Sequence, residues 1–194
     1  MVKLNKIYTR TGDEGTTGIV SLDQRRLSKN HPRIVAIGDV DELNASIGLA
    51  LSHDLGDTLR GQLLAVQNDL FDLGADLATP ETLQGELRLD PVRITRLEEA
   101  IDGVNDDLPP LESFILPSGP GGTSALHMAR AICRRAERSV WALKELEGPE
   151  GNVSPPVPLY LNRLSDFLFV VARKVSRDAG GEVLWVPGAG AVDD

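Results

Sequence analysis

Arg130, Arg134 and Arg138 stand four residues apart in the run Arg-Ala-Ile-Cys-Arg-Arg-Ala-Glu-Arg. On a helix that spacing aligns them in one stripe, because residues four apart overlie each other. At about 100° per residue from His127, the arginines fall near 300°, 340° and 20° and Glu137 near 280°. Met128, Ile132, Cys133, Ala136 and Val140 occupy the arc from about 100° to 240°. One face of the helix is thus expected to enter a core while the other presents guanidiniums. A guanidinium grips phosphate or carboxylate oxygens through two parallel hydrogen bonds, which an ammonium cannot do, so the stripe suits a polyanion. The same spacing also suits a solvated face laced by Arg–Glu pairs, and this helix alone does not separate the two readings. His127 shares the arginine face, where a lone histidine is most simply structural.

A second group lies near the N-terminus, in Thr9-Arg10-Thr11-Gly12-Asp13-Glu14-Gly15-Thr16-Thr17-Gly18. Hydroxyls, closely spaced backbone N–H groups and one guanidinium are the parts of a nest that wraps an anion. The Gly-Lys-Ser/Thr ending of a P-loop is missing and no strand pattern precedes the segment. On its own it reads equally as a flexible polar terminus. Asp41 falls at the same helical angle as Ile34, Ile37, Gly38, Ala45 and Gly48, whereas Asp39 and Glu42 take the polar side. A carboxylate in an apolar arc needs a partner, since an unpaired buried charge is very costly. Further on, Asn162, Asp166, Phe169 and Arg173 share a stripe, either as surface polar pairs or with Asn162 bonding a sugar or phosphate. No Cys/His/Asp cluster or Glu-Xaa-Xaa-His pair has metal-ligand spacing, so no metal site built by the protein itself is expected. Cys133, the only cysteine, reads as a small core residue rather than a nucleophile.

The elements that must position these groups follow from periodicity. Residues 5–30 read as a polar loop. Apolar positions recur at helical spacing from Pro32 to His53, with Pro32 suited to a first turn. Asp57 is a candidate cap for a second helix that Thr79-Pro80 stops. Residues 81–90 read as a linker, and Asp90-Pro91 opens a third helix through Ile94, Leu97, Ile101, Val104 and Leu108. The connector Phe114-Ile115-Leu116-Pro117-Ser118-Gly119-Pro120-Gly121-Gly122 starts apolar, which suggests burial, and leads into the arginine helix at roughly 123–147. After a turn from Gly148 to Pro158 a fifth helix runs to about Ala179, and Glu182–Val186 reads as a short extended tail. Five helices with short connectors predict an all-α fold, a five-helix antiparallel bundle with an N-terminal nucleotide-binding loop. The expected organisation is a single domain over 1–194, with the loop in 1–30, the bundle in 31–179 and a C-terminal tail in 180–194. The 29 acidic and 20 basic residues give a net charge of −9, which argues against nucleic acid or an anionic membrane as partner. No apolar run approaches the ~18 residues of a membrane span and no secretory leader pattern is seen, so a cytoplasmic location is expected.

Five separated motifs occur in a known order: Lys6-Ile7-Tyr8-Thr9-Arg10-Thr11-Gly12-Asp13, Gly38-Asp39-Val40-Asp41-Glu42-Leu43-Asn44, Phe114-Ile115-Leu116-Pro117-Ser118-Gly119, Arg134-Arg135-Ala136-Glu137-Arg138 and Tyr160-Leu161-Asn162-Arg163-Leu164-Ser165-Asp166. Together they closely resemble the ATP:cob(I)alamin adenosyltransferases of the propanediol-utilisation type, over about residues 3–178. The resemblance implies a homotrimer with ATP and cobalamin bound between neighbouring subunits. It implies that Thr9, Arg10, Thr11, Gly12, Thr17, Gly18 and Lys29 wrap the triphosphate with Mg²⁺, that Arg134, Arg135, Glu137 and Arg138 hold ATP from the other side, and that Asn162 contacts the nucleotide. Asp41 and Arg130 match a carboxylate–arginine pair across the subunit interface, and Phe114 an aromatic against the lower face of the corrin. Position 10 is commonly Lys in the family, and the stretch from Thr16 to Lys29 varies in length among relatives, which leaves Arg26 as the alternative to Lys29.

The implied reaction is a displacement in which Co(I) attacks C5′ of ATP, adenosylcobalamin forms and triphosphate leaves. Cobalt is the nucleophile, so the protein needs no activated side chain of its own. Arg134, Arg130 and Asp41 are the residues expected to carry catalysis, through electrostatics and positioning. Phe114 is expected to displace the lower axial ligand and make bound cob(II)alamin four-coordinate for reduction. A cobalamin reductase before the reaction and an adenosylcobalamin-dependent enzyme after it are the implied protein partners. Two rivals remain at this stage. An all-α nucleotide pyrophosphatase would need more clustered carboxylates than Glu98-Glu99, and a helical module binding an acidic partner would leave the N-terminal loop without a purpose.

Overall fold

The computed structural model describes residues 8–80, 86–149 and 152–190. Five helices run α1 (Pro32–Ala50), α2 (Asp57–Ala78), α3 (Val92–Asn105), α4 (Thr123–Glu147) and α5 (Pro156–Asp178). Two three-residue strands, β1 (Thr16–Gly18) and β2 (Arg26–Ser28), precede them as an antiparallel pair with Thr17 opposite Leu27. The expected bundle is thus present, and the expected loop is in part a hairpin. Lys6 and Ile7 of the first motif, residues 81–85 of the linker, 150–151 of the α4–α5 turn and 191–194 of the tail lie outside the described residues.

Each helix begins and ends for local reasons. Pro32 occupies the first turn of α1, where its missing N–H costs nothing, and His31 Nδ1 accepts from Arg33 N at 3.1 Å. α1 stops at Ala50, short of His53, because Ser52 N and His53 N turn back to Leu49 O and Ala50 O. At α2 the cap is Gly56 and Asp57 is the first helical residue, so no side chain caps that helix. α4 starts at Gly122, whose φ is 89° and where a Cβ would meet His53 Cβ at 3.0 Å and Leu55 Cδ2 at 3.1 Å. That glycine lets the α1–α2 turn press on the start of α4.

α4 is the central helix. It packs on α1 along one side and α5 along the other, with α2 outside α1 and α3 outside α5. Small residues on its inner face, Ala129, Cys133 and Ala136, are fully buried and let both neighbours approach closely. They meet Leu43 and Ile47 of α1 and Tyr160, Leu161, Leu164 and Leu168 of α5 in one core that also takes Leu63, Leu70, Leu73 and Leu77 of α2. Each such leucine contributes about 1.5–3 kcal/mol by leaving water. Two expectations fail here. Met128 is 58% exposed rather than in the core arc, because the buried residues from Leu143 and Ala136 round to Cys133 and Leu126 span about 160° to 260°, an arc turned away from Met128. Phe114 is 78% exposed and Leu116 is also exposed, so the apolar connector is a surface segment.

Buried charges lock one end of the bundle. Arg33, 1% exposed, donates from Nη1 to Leu77 O at 2.6 Å and from Nε to Glu147 Oε1 at 3.1 Å, while Nη2 pairs with the same carboxylate. It joins the start of α1 to the ends of α2 and α4. Asp76 on α2 accepts from Arg88 Nη1 at 2.7 Å, Ser154 Oγ at 2.6 Å and Leu89 N at 2.9 Å. Those bonds fasten the segment before α3 and the segment before α5. Tyr160 donates its hydroxyl to Asp69 at 3.0 Å, and Arg93 of α3 pairs with Asp69 and Asp72. Among the described residues no helix is long and apolar enough to cross a membrane.

Arg33→Ala is expected to cost about 3–5 kcal/mol in urea unfolding, since it strands the Glu147 carboxylate and the Leu77 carbonyl. Arg163→Ala, which breaks the exposed pair with Glu98, is expected to cost less than about 1 kcal/mol in the same measurement.

Candidate active site

The outer face of α4 separates its arginines by task. Arg135 turns to α1, where it pairs with Glu42 and lies 3.4 Å from Asp39, and Ser139 donates to the same Asp39. The hydrogen bond from Arg135 holds the Glu42 carboxyl below its usual range. Toward α5, Glu137 Oε1 accepts from Asn162 Nδ2 at 3.1 Å. Arg130 stacks on the Phe169 ring, with its guanidinium carbon 5.3 Å from the centroid. Burial, and then the neighbouring Arg134 charge, pull Arg130 below the ordinary guanidinium value, with Asp166 opposing. Arg134 and Arg138 point outward and are exposed. Arg138 donates to the Arg134 carbonyl at 2.9 Å, and among the described residues neither meets a carboxylate within ion-pair distance. A solvated face laced by Arg–Glu pairs would have used Glu137 on its arginines; Glu137 instead holds Asn162. The structure therefore brings Arg130, Arg134, Glu137, Arg138 and Asn162 together and turns Arg135 away from them.

The N-terminal loop is built around Arg26. Its guanidinium donates to Thr16 Oγ1 at 3.1 Å, Thr16 O at 3.0 Å and Thr11 O at 2.8 Å. Arg26 is thereby committed to the loop's shape. The Lys29 ammonium passes so close that a Cβ on Gly12 would meet it at 3.3 Å. Arg10 adopts the left-handed region at φ 62°, a turn that costs a non-glycine residue energy and marks a constrained nest. Thr9 and Thr11 hydroxyls lie 3.0 Å apart, exposed, and Thr17 and Gly18 form the first strand. A single backbone bond, Val20 N to Ala78 O at 2.9 Å, hangs the hairpin on the end of α2. Among the described residues none of the loop's hydrogen bonds reaches α4.

Asp41 has no ion-pair partner among the described residues and is exposed. The apolar arc around it is real but open. Ile34, Ile37, Gly38, Leu70, Phe71, Gly74 and Ala78 line a surface groove of about 500 Å³ between α1 and α2, with Asp41 on its edge. The carboxylate thus stays hydrated in a single chain, and Arg130 lies elsewhere, on α4.

Phe114 is presented from a short two-stranded ledge. Ile115 and Leu184 form an antiparallel bridge, which makes the expected extended tail a partner strand of the connector. The Trp185 ring stands edge-on to Phe114 with centroids 6.0 Å apart. Trp185 is the aromatic that sequence reasoning missed, because its position beside Phe114 depends on pairing between segments about 70 residues apart. Arg173 was grouped with Asn162, Asp166 and Phe169, yet it is buried, under the tail. Cys133 is buried and donates its thiol to Leu161 O at 3.2 Å, and burial pushes that thiol far up. Among the described residues no three His, Cys, Asp or Glu side chains form a group able to hold a metal ion.

A five-helix bundle that leaves Arg134 and Arg138 exposed, with a polar threonine- and glycine-rich loop before it, has the composition of an α-helical protein that takes an anionic ligand. Comparison with known proteins makes the class specific. The family model described as cobalamin adenosyltransferase matches residues 7–175. The corrinoid adenosyltransferase of Mycobacterium tuberculosis is 49% identical over 191 residues, covering 96% of both chains. That of Homo sapiens is 40% identical, covering 93% of this chain and 72% of the human one. A phenylalanine-to-alanine variant of the PduO-type ATP:corrinoid adenosyltransferase from Lactobacillus reuteri, solved with cobalamin and ATP, superposes with a TM-score of 0.84 at 37% identity, covering 93% of this chain and 99% of that one. The chain belongs to the cobalamin adenosyltransferase family, and it is an enzyme of that class.

His127 offers a pH test of this region. Its Nε2 is buried without a hydrogen-bond partner among the described residues, and its ring lies 6.4 Å from Phe169. Burial, and then the Arg130 charge, depress its pKa below 6.5, against the raising effect of Glu182. The unfolded chain therefore binds the extra proton first. The stability this histidine contributes is complete above pH 6.5 and is lost as pH falls through its lower folded value. Urea midpoints across that window are expected to fall with pH for the wild type and to lose that component of the slope in His127→Gln.

Proposed function

We propose that this chain transfers the 5′-deoxyadenosyl group of ATP to the Co(I) centre of a reduced corrinoid and releases triphosphate. The observation that carries the reading is the pair Arg134 and Arg138, exposed on α4 beside the Glu137–Asn162 hydrogen bond and, among the described residues, unspent on any carboxylate. A cationic surface of this kind is stabilised by an incoming polyanion rather than by its own chain. Three variants of the Lactobacillus reuteri relative were solved with ATP, two of them with cobalamin as well, which supports both substrates.

In the proposed step cobalt donates an electron pair to C5′, the C5′–O bond breaks, and that bond's electrons leave on the triphosphate. The developing negative charge falls to Arg134 and Arg138, and a preorganised donor of this kind contributes about 3 kcal/mol in the transition state. The loop residues Thr9, Arg10, Thr11, Gly12, Thr17, Gly18 and Lys29 hold the phosphates from the opposite side, through backbone N–H groups, hydroxyls and the two cations. Mg²⁺ travels with the nucleotide and spreads the phosphate charge; the Thr9 and Thr11 hydroxyls are hard oxygen donors suited to its neighbourhood. Glu137 fixes Asn162 for contact with the nucleoside. The Phe114 ring, exposed and hydrocarbon, takes the place of the lower axial ligand of cob(II)alamin, which leaves cobalt four-coordinate and easier to reduce.

The assembly proposed is a homotrimer. Among the described residues the loop is bonded to α2 and not to α4, and in the proposed assembly loop and arginine face meet across two subunits. The open groove beside Asp41 supplies apolar surface for such a contact, and Arg130 of a neighbour supplies the cation for Asp41. Arg135 serves in this arrangement to hold α4 on α1 rather than to bind phosphate.

Purified protein with ATP, Mg²⁺ and chemically reduced cobalamin is expected to give the Co–C bonded product, read by its visible spectrum, with triphosphate by ion-exchange chromatography. Pyrophosphate or phosphate as the product overturns the reading. Arg134→Ala is expected to lower kcat about 10²–10³-fold with an unchanged melt. Asp41→Asn is expected to weaken assembly in sedimentation without lowering the stability of the single chain, whereas Asp39→Asn lowers stability by removing the negative charge that faces Arg135 and replacing one acceptor oxygen with a donor.

A further inference from the structure

Phe114 has little packing of its own, so its placement is decided by the backbone that carries it. Phe114 O accepts from Trp185 N at 2.7 Å, Leu116 N donates to Val183 O at 2.9 Å, and Ser113 Oγ donates to Trp185 O at 2.9 Å. These bonds make residues 113–116 and 183–185 one small ledge. The ledge joins the bundle through a buried charge pair. Arg173 Nε on α5 donates to Glu182 Oε1 at 2.7 Å, with side chains only 4% and 9% exposed. The same guanidinium donates from Nη2 to Pro109 O at 2.9 Å. Pro109 lies just before the Phe114 strand and Glu182 just before the tail strand, so one side chain holds the entry to both. Around it, Ser176 Oγ donates to Gly181 O at 2.7 Å, Gly181 N donates to Ser176 O at 2.8 Å, and Arg177 stands 3.9 Å from the second Glu182 oxygen.

We propose that Arg173 and Glu182 are positioning residues for Phe114, the buried pair fixing the ledge from which the ring meets the corrinoid. The proposal rests on the reading of Phe114 given above. A surface pair would not do this, since its geometry is loose and its energy small. A buried fork does, because the Nε and Nη2 directions are rigidly related and both of their acceptors are taken. Lysine keeps the charge and loses the fork, so it cannot hold Glu182 and Pro109 in the same fixed relation. Glutamine at 182 keeps the shape and leaves the Arg173 charge buried without its counterion.

The first measurement needs no substrate. In hydrogen exchange, the Leu116 and Trp185 amides of Glu182→Gln are expected to exchange about tenfold faster than in the wild type, with α4 amides unchanged. With ATP and cob(II)alamin added, the same variant is expected to lose most of the four-coordinate Co(II) signature seen by electron paramagnetic resonance. Its turnover is expected to fall further when the reaction starts from cob(II)alamin and a mild reductant than when it starts from cob(I)alamin. Arg173→Lys is expected to show the same pattern in weaker form. Trp185→Pro removes the donor to Phe114 O outside the core and carries the same test if Glu182→Gln fails to fold. Phe114→Ala separates the two ideas. If it keeps the four-coordinate signature, the reading of Phe114 fails; if it loses the signature while Glu182→Gln, or Trp185→Pro in its place, keeps both signature and amide protection, the positioning role is overturned.

Discussion

The Arg33 guanidinium, held almost without solvent between Leu77 O and Glu147, is the constraint on which the rest of the molecule depends. A buried cation tolerates no loose partner, so the first turn of α1 and the last turns of α2 and α4 are fixed to one point. α4 then cannot slide along α1. Its height sets where the arginine face stands relative to the hairpin, which hangs from the same end of α2. Asp76 extends the lock to the segments before α3 and α5. Position of the chemical groups is in this sense inherited from two buried charges rather than from the greasy core, which would accept small shifts in register.

Within that frame α4 divides its circumference. Ala129, Ala136 and Cys133 face inward, Arg135 and Ser139 face α1, Glu137 and Arg130 face α5, and Arg134 and Arg138 are the arginines of the run left outward. The separation follows from 100° steps around a helix with neighbours on two sides. Flanking positions are spent on docking the neighbours, and the remaining sector is free for a ligand. That is why three aligned arginines in the sequence become one stacked on Phe169 and two available to a polyanion.

Much of this was legible in the sequence, and the exceptions share a cause. The helices were marked by period and by prolines, and the inward arc of α4 by its small residues. The β1–β2 pair was not, since Thr16-Thr17-Gly18 is too short to alternate and is held by Arg26 from ten residues away. Period put Asp41 in an apolar arc, but period does not distinguish a core from an apolar groove on the outside. Phe114 read as buried because its neighbours are apolar; the ledge that exposes it needs the tail. Arg173 and Trp185 likewise gain their places only from contacts between segments far apart in the chain, and local pattern carries no trace of those. The motifs shared with the family located the arginine face and loop, whereas which arginine serves which neighbour was visible only in three dimensions.

The sealed Cys133 has a consequence for the conditions under which such a protein works. The reaction proposed for it, at Co(I), needs strong reductants, and a chain with one cysteine has no intrachain disulfide for them to cut. The thiol is also held in its protonated form by burial and by its bond to Leu161 O, so it presents no reactive thiolate. With no second cysteine in the sequence to pair with, the scaffold carries no thiol–disulfide couple of its own, and a change in the surrounding redox potential leaves its covalent connections as they are.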